Sequence, residues 1–156
     1  MIDDISLHIL KILQEKARIP NVEVARQVGL APSAVLERIK KLEKQGVIDG
    51  YEVRLSPEQF QRKLVAFIFV YAKDNQDLRN TGKALATIND IQEVHFITGE
   101  DCFLVKARVK DTADLDILIR KKIAVIGKGC TTRTLISLNI HKETSRIPLD
   151  DHANSA

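Results

Sequence analysis

Only two cysteines, Cys102 and Cys130, occur in the 156 residues, and neither lies in a CxxC or His-x-His neighbourhood. That excludes a structural zinc site and a secreted disulfide framework, and points to reduced thiols in a cytoplasmic protein. No run of about 18 apolar residues occurs, which excludes a membrane-spanning helix. Met1-Ile2-Asp3-Asp4 carries no basic stretch followed by an apolar one, so no export signal is expected. A dominant charge is also missing: 24 Lys and Arg face 21 Asp and Glu, so a polyanionic partner must be argued from local clustering. His8, His95, His141 and His152 are widely separated, with nothing to place one beside a cysteine or serine nucleophile. No enzyme centre is expected, and there is no internal repeat or low-complexity tract.

What is present is the composition of a globular protein, 44% hydrophobic and 29% charged, with length enough for two small domains. From Ile5 to Ala17 the residues Ile5, Ile9, Ile12 and Leu13 recur at helical spacing behind Asp3, Asp4 and Ser6, which suit a helix start. A second helix begins near Asn21 and ends at Gly29. A third starts at Pro32 and runs to Gln45, with Val35, Ile39 and Leu42 on one face and Gly46 to end it. Three short helices with a tight glycine-containing turn before the last match a helix-turn-helix, whose later helix enters the DNA major groove. Val47 to Val53 turns extended, and Ser56-Pro57 breaks it.

Strand and helix signals then alternate. Leu64–Ala72, Ile91–Thr98, Cys102–Val109 and Thr131–Ile140 read as strands, and Gln76–Ile88 and Asp111–Ile126 as helices. The order βαββαβ is the ferredoxin-like arrangement, so the fold class is α+β: a winged helix-turn-helix followed by a ferredoxin-like domain. The expected division is 1–50 for the DNA-binding domain, 51–62 for a linker strand or hinge, 63–142 for the ferredoxin-like domain and 143–156 for a loose tail. The first strand is apolar on both faces, yet two helices cover one face of a four-stranded sheet, so the other face is expected to meet a second subunit.

Across residues 2 to 148 the chain resembles the leucine-responsive (Lrp/AsnC, feast/famine) family of bacterial and archaeal regulators. The resemblance rests on Ile2-Asp3, Ile9-Leu10, Ala17-Arg18, Val24-Ala25, Val28-Gly29-Leu30, Val35, Arg38, Leu42-Glu43, Gly46-Val47-Ile48 and Gly50-Tyr51. In the second half it rests on Glu93-Val94, Thr98-Gly99-Glu100, Phe103-Leu104-Val105-Lys106 and Thr131-Thr132-Arg133-Thr134. It implies a DNA-binding dimer, assembled into higher even-numbered oligomers, whose C-terminal domain binds amino acids or related metabolites between subunits. A cytoplasmic, nucleoid-associated regulator follows, with no cofactor beyond a possible amino-acid effector. Ser6 stands where the family often has an acidic residue, Ala31 where a serine usually caps the recognition helix, and Asp101-Cys102-Phe103 where Asp-Tyr is commoner. The first two are expected to weaken a cap by about 1 kcal/mol each.

The exposed side of the third helix is expected to carry Ser33, Ala34, Glu37, Arg38 and Lys41, flanked by Lys40 and Lys44, with Arg18 and Arg26 joining at the DNA backbone. Arg38 suits a guanine edge or a phosphate, and the lysines suit phosphates. The alternative is a solvated face in which these lysines pair with Glu37 and Glu43. For the effector, Thr98-Gly99-Glu100-Asp101 offers backbone N–H groups and carboxylates to a zwitterion, with Thr131, Thr132 and Thr134 completing the pocket. The alternative is a plain hairpin turn. Gly127-Lys128-Gly129 lacks the glycine and helix of a phosphate loop and reads as a turn, and His95 reads as a packed or interface histidine. Two rival functions share this architecture. One is a sirohaem decarboxylase, disfavoured by the basic third helix and an aromatic content of 4%; the other is a metabolite-sensing interaction module.

Overall fold

A computed structural model describes residues 2–73 and 78–149. The chain divides into two compact units, one holding residues 2–54 together with 143–149 and the other the described residues between 55 and 142.

In the first unit α1 spans Asp4–Glu15, α2 Asn21–Val28 and α3 Pro32–Lys44. The cap of α1 is Asp3, whose carboxylate accepts the Ser6 N–H at 2.8 Å. Ser6 is thus a donor to the cap and not the cap itself, which removes the weakening expected at that position. The helix stops at Glu15 rather than Ala17 because Lys16 already leaves helical geometry, at φ −143°. Gly29 closes α2 in the left-handed conformation at φ 70°. Gly46 does the same for α3: its N–H donates to Glu43 O at 3.0 Å and the Val47 N–H to Leu42 O at 2.9 Å. Ile9, Val24, Ala25, Val35 and Ile39 form the core, sealed by Ile5, Ile12, Leu13, Ile19, Val28, Leu30 and Ile48.

Residues 47–53 form no ladder among the described residues, and a single 3-10 turn, Pro57–Phe60, follows. The expected loose tail also differs. The Gln14 side chain donates to Ile147 O and accepts the Ile147 N–H, both at 3.0 Å, and an Arg146 guanidinium nitrogen donates to Glu15 O at 3.4 Å. Exposed backbone groups of an irregular strap find partners at the end of α1, a pairing that hydrophobic periodicity does not reveal. Residues 150–156 of that tail lie outside the described residues.

The second unit has β1 (Leu64–Ala72), α4 (Leu78–Ala86), β2 (Ile91–Ile97), β3 (Cys102–Val109), α5 (Thr112–Ile117) and β4 (Cys130–Ile136). The sheet runs β2-β3-β1-β4 with every neighbour antiparallel, the ferredoxin-like order. Gln76 and Asp77, expected to begin α4, lie outside the described residues. Ala66, Ile68 and Val70 of β1 and Phe103, Val105, Ala107 and Val109 of β3 pack on one face with Leu85, Leu115, Leu118 and Ile123 from the helical layer. The opposite face presents Phe67, Phe69 and Tyr71, with Val65 buried on the same face, because alternate strand residues point apart.

Two expected elements change shape. The helix from Asp111 to Ile126 is α-helical only to Ile117, and Leu118–Ile123 continues as a π-helix in which the Ala124 N–H donates to Ile119 O, five residues back, at 2.9 Å. The wider turn brings Leu118 and Ile123, five apart and both fully buried, onto the same core face, which a 3.6-residue period does not do. The last strand ends at Ile136 rather than Ile140: its pairing with β1 runs only to Ala66 opposite Ile136, with one further bond from the Ser137 N–H to Val65 O at 2.9 Å. Beyond it Leu138 is 98% exposed. Gly127 and Gly129, both at positive φ, form the turn before β4.

Candidate nucleic-acid interface and effector site

Val35, Ile39 and Leu42 fix the rotation of α3 by burying one stripe, so the helical period dictates what remains outside. Ser33, Glu37, Lys40, Lys41 and Lys44 are exposed, and Ala34 is half-buried. Ala31 caps α3 through its backbone alone, with no side-chain bond to the first-turn N–H groups. Leu36, which the sequence reading passed over, is 40% exposed on the same outer surface, one turn from both Ser33 and Lys40. Its signal was available: position 36 is about 100° around the helix from the buried stripe.

The three lysines make no ion pair with Glu37 or Glu43 among the described residues. Glu43 instead accepts the Tyr51 hydroxyl at 2.9 Å, and burial followed by this bond pushes the Tyr51 phenol up to about 12. Arg26 is engaged: it donates to Glu23 at 2.6 and 3.1 Å, and Gln27 donates to the same carboxylate at 3.1 Å. The Arg26 bond, then the Gln27 bond, hold Glu23 down at about 2. Arg18 is exposed in the turn after α1. Arg38 departs from the outward placement expected for it. Its Nη1 donates to Asp3 Oδ2 at 2.6 Å and to Ser6 Oγ at 3.0 Å, because position 38 sits beside the buried Ile39 and faces the start of α1.

In the second unit Thr98–Asp101 forms the turn between β2 and β3, with Gly99 at φ 93° and Asp101 at φ 45°. A side chain at Gly99 would meet nothing within 4 Å, so glycine serves the backbone conformation there and not a close approach. Glu100 reaches back across the open face of the sheet, where it accepts the Tyr71 hydroxyl and an Arg133 N–H at 3.2 Å. The Arg133 guanidinium lies 4.1 Å above the Phe69 ring. The bond to Glu100 is also the first reason the Tyr71 phenol is raised.

Register separates the threonines. Thr131 stands opposite Tyr71 on the open face, whereas Thr132 and Thr134 stand opposite Val70 and Ile68 and turn toward the helical layer. The structure therefore gathers Glu100, Arg133, Tyr71 and Phe69 beside Thr131, and leaves Thr132 and Thr134 on the other side. Tyr71, Phe69 and Arg133 were not among the expected site residues, although Arg133 shares its strand face with Thr131. His95 is exposed on the open face, 3.2 Å from Glu93, which also receives Lys106 at 3.1 Å. Cys102 and Cys130 are free and buried, and burial pushes both thiols up. No cluster of metal-binding side chains occurs among the described residues.

The model of a family described as winged helix-turn-helix DNA-binding matches residues 2–49, and that of the Lrp/AsnC ligand binding domain matches residues 65–147. The leucine-responsive regulatory protein of Haemophilus influenzae is 33% identical over 150 residues, covering 95% of this chain and 90% of that protein. Its Escherichia coli K12 counterpart is also 33% identical, covering 94% and 90%. Among solved structures, a Neisseria meningitidis transcriptional regulator in complex with L-methionine gives a TM-score of 0.88 at 28% identity, covering 96% of this chain and 98% of that one. A feast or famine regulatory protein from M. tuberculosis, also with L-methionine, gives 0.87 at 27%, covering 96% and 100%. AsnC of E. coli gives 0.86 at 26%, covering 95% and 99%.

Proposed function

Since this chain belongs to the Lrp/AsnC family of DNA-binding transcriptional regulators, we propose that it reads two-fold operators with α3 and is tuned by an amino acid bound at the turn between β2 and β3. The observation that carries the DNA reading is the row of exposed lysines on α3, Lys40, Lys41 and Lys44, which are not neutralised by the acids of their own helix. Ser33, Ala34, Leu36 and Glu37 lie toward the N-terminal end, which enters the groove, and the lysines and Arg18 lie toward the phosphates. Arg26 joins them only when its pair with Glu23 opens.

The open sheet face, with Phe67 and Leu135 exposed and directly paired across β1 and β4, supports a dimer interface, and dimers assemble into higher even-numbered oligomers. The effector reading rests on Gly99, Glu100, Asp101 and Thr131, with Thr98 at the turn's start and Thr132 and Thr134 acting through the strand they share. Two structural relatives were solved with L-methionine, and the curated relatives are named for leucine, so these two amino acids head the test panel. An effector that prefers one assembly state shifts its population and so changes how the paired α3 helices are spaced. The protein acts in the cytoplasm, on the nucleoid.

The test is selection from randomised duplex DNA at fixed salt, with methionine, leucine and other amino acids present or absent. A two-fold motif with half-sites about 34 to 36 Å apart, or a multiple of that, is expected, with occupancy that changes with one amino acid. Recovery of no motif, with weak binding that disappears at moderate salt, overturns the reading.

A further inference from the structure

The geometry points to Arg38 as a positioning residue: clamped by Asp3 and Ser6, it sets the angle at which α3 is presented, and it does not itself touch DNA. One carboxylate performs two tasks. Asp3 Oδ1 accepts the Ser6 N–H at 2.8 Å and caps α1, while Oδ2 accepts Arg38 Nη1 at 2.6 Å. The same nitrogen donates to the hydroxyl of Ser6, a residue only 6% exposed, at 3.0 Å. Three polar groups thus join the first turn of α1 to the middle of α3, two helices otherwise held by non-directional apolar contacts through Ile9, Val35 and Ile39. Apolar packing of this kind tolerates small rotations and slides, whereas a charge-assisted hydrogen bond has a direction. Locked this way, α3 offers its outer residues to the groove at one angle.

This rests on α3 being the reading helix, so the test has one arm without DNA. The variants are Asp3→Asn, Arg38→Ala and the two together. Asparagine still caps a helix, so Asp3→Asn removes the charge pair and leaves the fold of α1 in place. In the free protein, residual dipolar couplings report the angle between α1 and α3; thermal melts confirm that each variant is folded. The second arm measures affinity for a selected operator and for random duplex.

The expected result is a changed or broadened α1–α3 angle in Asp3→Asn, with about a tenfold loss of operator affinity. Random-duplex affinity is held, and the double variant loses no more than either single one. The salt dependence stays that of wild type in Arg38→Ala, since no phosphate contact is removed. Direct DNA contact by Arg38 predicts the opposite sign: Asp3→Asn then frees a cation, removes a nearby anion and binds more tightly, and Arg38→Ala flattens the salt dependence. Either of those results, or an α1–α3 angle unmoved in Asp3→Asn, overturns the proposal. A moved angle with no operator selected even by wild type upholds the clamp and overturns the DNA reading instead.

Discussion

Replacing Lys44 with alanine tests the reading of α3 through a quantity that the structure sets. At about 1.5 Å per residue, Lys44 lies about 16 Å along the axis from Ser33, more than the roughly 12 Å width of the major groove. With Ser33 at the base edges, Lys44 falls on the phosphate backbone at the rim. It has no acidic partner among the described residues, so its whole charge is available to displace a counterion. Each phosphate neutralised contributes about −0.9 to the slope of log K against log salt, and a two-fold dimer carries the contact twice. Lys44→Ala is therefore expected to flatten the slope by about 1.8. Between about 50 and 200 mM salt the variant then loses about 12-fold less affinity than wild type does. The change is uniform over operator and random duplex, because phosphates carry no sequence. The assay is a fluorescence-anisotropy titration at four salt concentrations. Arg26→Ala is the control, its cation being already matched by Glu23 at 2.6 Å. A slope unchanged in Lys44→Ala, or a flattening as large in Arg26→Ala, contradicts the placement of these charges.

Three further outcomes are expected. Gly82→Ala places a methyl group 2.9 Å from the Phe103 ring, which is buried, so overpacking of about 1 to 3 kcal/mol exceeds the roughly 1 kcal/mol helix gain, and the melting temperature falls. A rise would show that the ring moves freely. Leu135 is 50% exposed opposite Phe67 at 38%, so completing its burial in a dimer is worth about 1 kcal/mol per copy. Leu135→Lys accordingly weakens the dimer at least about 30-fold in sedimentation equilibrium, and an unchanged dimer places the interface elsewhere. Asp3 is held below its ordinary 3.8 chiefly by the Ser6 N–H and then by Arg38. Its stabilisation is therefore complete above that unfolded value and is lost as the pH falls through the lower folded one. Melting curves taken down the acid side should fall less steeply in Asp3→Asn, and identical curves would mean the carboxylate gains nothing in the fold.

The elements were legible where one period ran through them. Val35, Ile39 and Leu42 located α3, and the doubly apolar β1 announced a sheet with an uncovered face. Elements whose limits depend on a neighbour were not legible. The end of β4 depends on how far it pairs with β1, and the π-helix places Leu118 and Ile123, five residues apart, together in the core. The site behaves likewise. Gly99, Glu100 and Asp101 could be named from turn chemistry, but Glu100 meets Tyr71 and Arg133 across 29 and 33 residues of sequence, through a strand order that no local pattern encodes.

The third helix shows why charge alone misassigns roles within an element. Its side chains fall into three rows at 3.6-residue spacing: Val35, Ile39 and Leu42 inward, Ser33, Glu37, Lys40 and Lys44 outward, and Arg38 on the boundary. A boundary cation can serve either row, and what decides is the partner within its reach. For Arg38 that partner is Asp3, 35 residues earlier, with an N–H and a hydroxyl from Ser6 completing the arrangement. Lys41 and Lys44 lie in the last turn of α3, where the negative end of the helix favours cations, and neither forms an ion pair with a side-chain acid among the described residues. The same basic residue type thus builds the scaffold at one position and the polyanion-facing surface at others, and the position of one aspartate ahead of α1 separates the two.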